Sequence, residues 1–287
     1  MFLGTGIERL KYITAVVLYG TIGLFLRNVS FPSEFVAFCR GIIGSGFILA
    51  FLAARHRKPD LPAIKKNFPL LLISGICLGL NWVFLFAAYM ETTVAIASLC
   101  NYMAPIIVVI VAPAVLREKL NLKKLPFVAM AFVGIVLVSG VLDGGSGSTL
   151  GVILGLIAAL CFVCIVLCNR RLRDIGPMDR SVVQLFVSAL IILPYIIVNN
   201  YGKTINADMH SVLIVLLLGV VHTGIAYCLY FSALGSLPVH TVSLLGYLEP
   251  VVSVLCSALI LHEPMSIWGW IGAVMVVVAA AASEIME

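Results

Sequence analysis

Charge is the scarce commodity in this chain. Only 11% of its 287 residues are Asp, Glu, Lys or Arg, against roughly 25% in an ordinary soluble domain. With 62% of residues apolar, a water-soluble fold is excluded and an integral membrane protein is expected. Several chemical signatures are missing as well. No phosphate-cradling glycine loop, zinc-ligand spacing or catalytic triad can be found. Stretches between apolar runs are too short for an ATPase domain. All eight cysteines (39, 77, 100, 161, 164, 168, 228 and 256) lie inside apolar runs, so a disulfide framework is not indicated. Cys161, Cys164 and Cys168 share a helix face, but no His or carboxylate joins them, and they read as packing residues. The first apolar run is too long for a signal peptide and lacks a small-residue cleavage site. It is expected to stay as a span.

What is present is a succession of apolar runs. A membrane span takes about 20 mainly apolar residues. Ten can be marked, at 11–27, 33–54, 68–90, 92–115, 125–142, 149–168, 181–199, 211–233, 238–261 and 266–284. Runs of this length in lipid are helices, because an open strand edge has no hydrogen-bond partner there. The one flexible polar linker, Asp143 to Ser148, falls at the midpoint and divides five runs from five.

The halves are related. A shift of 145 residues superposes Ser98-Leu-Cys-Asn-Tyr-Met-Ala-Pro105 on Ser243-Leu-Leu-Gly-Tyr-Leu-Glu-Pro250. Between Leu71 and Glu118 the shift gives thirteen identities, among them Tyr102/Tyr247, Pro105/Pro250 and Glu118/Glu263. Repeats of this kind decide the reading of a whole chain. Orientation follows from Lys and Arg. With the N-terminus inside, 15 of the 18 fall in inside segments; only Arg27 and Lys203 fall outside, and Arg40 lies within a span. Five spans per half is an odd number, so the second half is inverted relative to the first. Inverted repeats are a common construction of secondary transporters, with the solute near the midplane.

Leu116-Arg-Glu-Lys-Leu120 and Leu261-His-Glu-Pro-Met265 resemble the repeated glutamate that closes the fourth and ninth helices of EamA-type transporters, members of the drug/metabolite transporter superfamily. Tyr247-Leu-Glu-Pro250, Tyr102-Met-Ala-Pro105 and Ala87 to Val94 are similar to that family's pattern too. The resemblance covers the whole chain. It implies transport of small organic metabolites, often export, with both termini cytoplasmic. This chain departs from the pattern at Ala104, the counterpart of Glu249. Glu118 and Glu263 each precede a helix and are expected to cap its positive end, with Pro264 at the first helical position.

Candidate solute contacts are of two kinds. Under the repeat, Trp82 pairs with Tyr227, Phe86 with Phe231 and Tyr102 with Tyr247. Aromatic rings can line a cavity for an apolar, aromatic or cationic solute; packing against core or lipid is the other reading. The unpaired positions are Arg40, His222, His240 and Glu249. A charge at mid-depth costs about 2.5–3.5 kcal/mol on insertion scales, so such residues face the interior. Arg40 and Glu249 could pair with each other. Alternatively Glu249 binds a cation or proton and Arg40 an anionic group, which together suit a zwitterion such as an amino acid. Glu249 alone would suit an organic cation. His240, Ser243 and Tyr247 share a face of the ninth helix, and Glu249 lies about 180° from His240 on an ideal helix. A break is needed to bring both faces to one cavity, and Pro250 supplies a reason for one. His222 suits proton coupling or a hydrogen-bonded core site. Tyr19 and Asn81 stand where a cavity wall is expected. Gly41, Gly44, Gly46, Gly151 and Gly155 suit close helix packing.

The expectation is an all-α polytopic membrane protein of ten transmembrane helices arranged as two inverted five-helix repeats, 1–142 and 149–287. It would be a secondary active or facilitative transporter of a small organic metabolite, working by alternating access in the cell (inner) membrane. The substrate-binding set is Tyr19, Arg40, Asn81, Trp82, Tyr102, His222, Tyr227, Ser243, Tyr247 and Glu249. No catalytic residue, metal or cofactor is expected, and no nucleic acid. The partners are the solute, the lipid bilayer and, as one coupling option, a proton; the state is monomer or homodimer. An intramembrane enzyme or a channel-like pore is the alternative.

Overall fold

The computed structural model describes residues 2–116, 123, 125–138, 148–200, 208–234, 236–237 and 239–285. The described residues are almost wholly helical. The helices are α1 (Phe2–Leu26), α2 (Ser33–Ala54), α3 (Leu61–Glu91), α4 (Val94–Asn101), α5 (Ala104–Leu116), α6 (Leu125–Val138), α7 (Thr149–Arg171), α8 (Pro177–Asn200), α9 (Met209–Gly219), α10 (Ala226–Leu234), α11 (Val239–Gly246), α12 (Leu248–Leu255) and α13 (Ile267–Ile285). Seven segments are long and apolar enough to cross a membrane, and Leu125–Val138, Leu248–Ile260 and Ile267–Ala282 are shorter apolar helices. The protein is a multi-pass membrane protein. The midpoint linker at 143–147 and Glu118 lie outside the described residues.

Local chemistry explains the boundaries. α3 starts seven residues before the apolar run does, because Asp60 accepts a hydrogen bond from the Ala63 amide (3.0 Å) and Pro62 opens the first turn. Asp208 caps α9 in the same way through the Ser211 amide (2.9 Å). Such caps satisfy amide groups that a helix start leaves free.

Two of the expected continuous spans are broken. Pro105 has no N–H for the carbonyl of Asn101, and Pro250 has none for that of Gly246. α4 ends at Asn101 and α11 at Gly246, each followed by a tyrosine at the break. Two other interruptions, Val220–Ile225 and Cys256–Ile260, are π-helical turns inside otherwise regular helices.

The halves interlock rather than stand side by side. α3 packs on α7, α6 on α13, α2 on α8, and α1 on α10 and α12. Small residues permit this. A Cβ on Gly41 would stand 2.8 Å from the Leu185 carbonyl oxygen, and one on Gly151 or Gly155 would be 2.7 Å from Thr92 or Cys100. Gly46 differs, since nothing lies within 4 Å of its Cβ direction, and it makes no tight contact. At the α6–α13 crossing, a Cβ on Gly134 would lie 2.8 Å from the Gly272 carbonyl oxygen. Gly134→Val is therefore expected to force the two helices apart. The cost is about 1–3 kcal/mol, as for other overpacked cores, read as a lowered melting temperature in detergent.

Candidate functional site

A cavity of about 820 Å³ lies among α1, α2, α3, α7, α8, α10 and the two broken spans. Eight of the ten expected residues line it: Tyr19, Arg40, Asn81, Trp82, Tyr102, Tyr227, Tyr247 and Glu249. The breaks at Tyr102 and Tyr247 account for part of this. A continuous ninth helix would turn Tyr247 and Glu249 to different sides, whereas a break at Tyr247 leaves both on the wall.

One side of the cavity is aromatic. Tyr19 meets Tyr227 edge-on at 5.8 Å between centroids, Tyr227 meets Phe231 at 5.6 Å, and Tyr12 lies 5.0 Å from Tyr230. Trp82 and Phe86 lie near-parallel, 6.4 Å apart. The other side carries amides. Asn81 Nδ2 donates to Asn101 Oδ1 (2.9 Å) and to the Ala158 carbonyl (2.7 Å), which ties α3 to α7. Gln184 Nε2 donates to Ser74 Oγ (2.7 Å) and Asn169 Oδ1 (2.8 Å).

The two lone charges of the apolar spans both reach this space. Arg40 is 2% exposed. Its guanidinium carbon lies 4.3 Å from the Trp82 ring centroid and 5.3 Å from that of Phe86. Its Nε donates to Thr223 Oγ1 at 3.1 Å. Among the described residues its terminal nitrogens meet no protein acceptor. Glu249 accepts a hydrogen bond from the Tyr102 hydroxyl. The Arg40–Glu249 ion pair that the sequence allowed is absent among the described residues. The two groups occupy separate points on the lining.

His222 stands behind the wall. It is 2% exposed, with Nε2 3.1 Å from Thr21 Oγ1 and its ring 5.0 Å from Phe25. It holds α1 to the π turn and does not line the cavity. Ser243 is at a described backbone position in α11, but its side chain lies outside the described residues.

Several wall residues escaped the sequence reading. Tyr12 and Tyr230 sit seven residues before Tyr19 and three after Tyr227, so helical spacing alone could have placed them on the same faces. Arg180, Asn169 and Gln184 also line the cavity; for Gln184, an amide within the run 181–199 was the available signal. Thr223 had no signal at all.

The lining reaches Asn169, Arg170 and Arg180 at one end of the bundle and stops at Ile22 and Tyr89 toward the other. Beyond those, Glu263 gathers three elements. It accepts from Arg27 Nη2 (2.6 Å), from the Val94 amide (2.8 Å) and from Ser257 Oγ (2.5 Å). Arg27 also donates to the Thr92 carbonyl (2.6 Å). The expected capping role therefore takes a different form. Glu263 caps α4, in the opposite half, while α13 begins only at Ile267, with Ser266 Oγ accepting from the Gly269 amide (3.1 Å). Pro264 precedes that helix.

The cavity is thus lined by aromatic rings and amides, carries Arg40, Arg170, Arg180 and Glu249, and is walled by both halves of a multi-pass membrane protein. The EamA-like transporter family matches residues 9–140 and again 149–283, and the chain belongs to that family. It is 27% identical over 271 residues to a protein named an uncharacterized transporter, YxxF, of Bacillus subtilis, covering 93% of this chain and 86% of the other. It is 27% identical over 262 residues to a "Probable amino-acid metabolite efflux pump" of Salmonella typhimurium, covering 81% and 88%. A solved crystal structure aligns over 97% of each chain with a TM-score of 0.69 at 20% identity. That last likeness concerns the fold.

Proposed function

We propose that this protein is a secondary transporter that moves a small zwitterionic metabolite of amino-acid type across the cytoplasmic membrane by alternating access. Ten spans form two inverted five-helix halves, with both termini on the cytoplasmic side. The distribution of Lys and Arg, the double match to one family and the interlocked packing of the halves support this architecture. The observation that carries the function is the cavity itself: it is walled by both halves and presents the fork of Arg40 and the carboxylate of Glu249. Arg40 receives the solute's carboxylate, as guanidinium groups do through paired N–H donors. Glu249, held by Tyr102, faces its ammonium group. The tyrosines and Trp82 enclose the rest. Names given to relatives, amino-acid metabolite efflux pumps, point to the same solute class.

Counterflow in proteoliposomes tests this. Vesicles loaded with an unlabelled amino acid should accumulate the labelled one transiently and saturably. A channel would give neither feature, and an enzyme would change the solute. Glu249→Gln is expected to leave folding intact, to weaken uptake of amine-bearing solutes, and to remove any dependence of uptake on a proton gradient. Uptake that keeps its full rate and its pH profile in this variant would make Glu249 a packing residue.

A further inference from the structure

Arg40 is held on its inner side by a residue that no sequence pattern marks. Thr223 is fully buried and lies in the π turn Val220–Ile225. Its hydroxyl donates to the Leu218 carbonyl, five residues back, at 2.9 Å and accepts from Arg40 Nε at 3.1 Å. Serine and threonine in a regular helix bond back three or four residues. The wider turn displaces this hydroxyl by one position and frees a lone pair toward α2.

The methyl group of the same side chain is fixed independently. A Cβ on Gly44, one helical turn beyond Arg40, would stand 2.5 Å from the Thr223 methyl carbon. Gly219, just before the turn, and Gly224, within it, give similar room to Ile43 and Phe47 of α2, each within 2.7 Å of a hypothetical Cβ. Threonine is stiff at χ1. With its methyl seated at Gly44, its oxygen has one direction left, toward Arg40. Trp82 covers the guanidinium face at 4.3 Å, so the fork is fixed in angle as well as in place.

We infer that Thr223 is a positioning residue for carboxylate recognition, aiming the free end of Arg40 into the cavity. This rests on the amino-acid reading above. A guanidinium whose Nε is committed presents its two terminal nitrogens side by side, the arrangement a carboxylate accepts. Loss of the anchor lets the side chain swing within the cavity and spreads the fork over orientations that a carboxylate does not fit.

The test uses purified full-length protein and the tightest binder among the twenty common amino acids, together with its amide and its decarboxylated amine. Thr223→Val keeps the shape and removes the hydroxyl. It is expected to weaken binding of the acid about tenfold, the size of one lost hydrogen bond to a charged group, with the amide and amine unchanged and the melting temperature preserved. Thr223→Ser should retain the preference for the acid. Gly44→Ala, which displaces the methyl, should lose it. Equal weakening of acid and amine, or no change in either, would overturn the assignment. Arg40→Gln is the control for the underlying reading. If it leaves the acid preferred over the amine, or if none of the twenty binds the native protein, the amino-acid reading fails and this one with it. If Arg40→Gln erases the preference and Thr223→Val does not, only the positioning role fails.

Discussion

Arg40→Gln is expected to abolish carboxylate uptake while leaving the protein as stable as before, or slightly more so. The two halves of that outcome have separate causes. Removing one member of a desolvated charge pair costs about 2–5 kcal/mol of binding, on the order of 100-fold or more in affinity. Arg40 is 2% exposed and its terminal nitrogens have no acceptor among the described residues, so the Trp82 and Phe86 rings, not an anion, face its charge. A cation within an apolar span itself costs about 2.5–3.5 kcal/mol on insertion scales. Glutamine relieves that cost and can still bond to Thr223. Counterflow measures the first effect and thermal unfolding in detergent the second. Uptake within twofold of native would remove Arg40 from the solute path. A large fall in melting temperature would make it a structural arginine.

Glu263→Ala is expected to loosen the junction where α1, α4 and the segment before α13 meet. The carboxylate caps the start of α4 at Val94, meets Arg27 and holds Ser257. A helix cap is worth about 1 kcal/mol and a bond to a charged group about 1.5–3 kcal/mol. Arg27 is 28% exposed and Glu263 12%, so solvent screening reduces the ion pair's share. A net loss of about 2 kcal/mol shifts a closed-to-open ratio roughly 30-fold. In a cysteine-free background carrying Ile22→Cys, an impermeant thiol reagent added from the Glu263 side should then react much faster. Glu263→Gln, which keeps the shape but not the charge, should fall between. Unchanged labelling with normal counterflow would leave the cluster a packing feature with no part in closure.

Much of this architecture was legible because lipid simplifies the rules. Backbone groups must be satisfied within each span, so long apolar runs read as helices. Arg40 and Glu249 stood out as lone charges in apolar surroundings, and the 145-residue repeat drew attention to Tyr102 and Tyr247. What remained hidden depended on geometry that the residue pattern does not encode. Tyr12 and Tyr230 belong to none of the aromatic pairs that the repeat picks out. Glu263 precedes α13 in the chain yet serves α4, since its partners come from the other half. Thr223 matters through a π turn, and that turn has no compositional mark. The break at Tyr247 was foreshadowed by Pro250, whereas the equivalent break after Asn101 passed unnoticed although Pro105 gives it the same cause.

The π turn at Val220–Ile225 has a wider meaning for a duplicated chain. The corresponding stretch of the first half, residues 75–80, is ordinary helix within α3. One additional residue in a turn rotates everything downstream by about 100°. Trp82 and Tyr227 therefore occupy equivalent places in the sequence but different phases around their helices. A molecule made from two copies of one unit thus acquires a lopsided interior through its backbone, before any side chain differs.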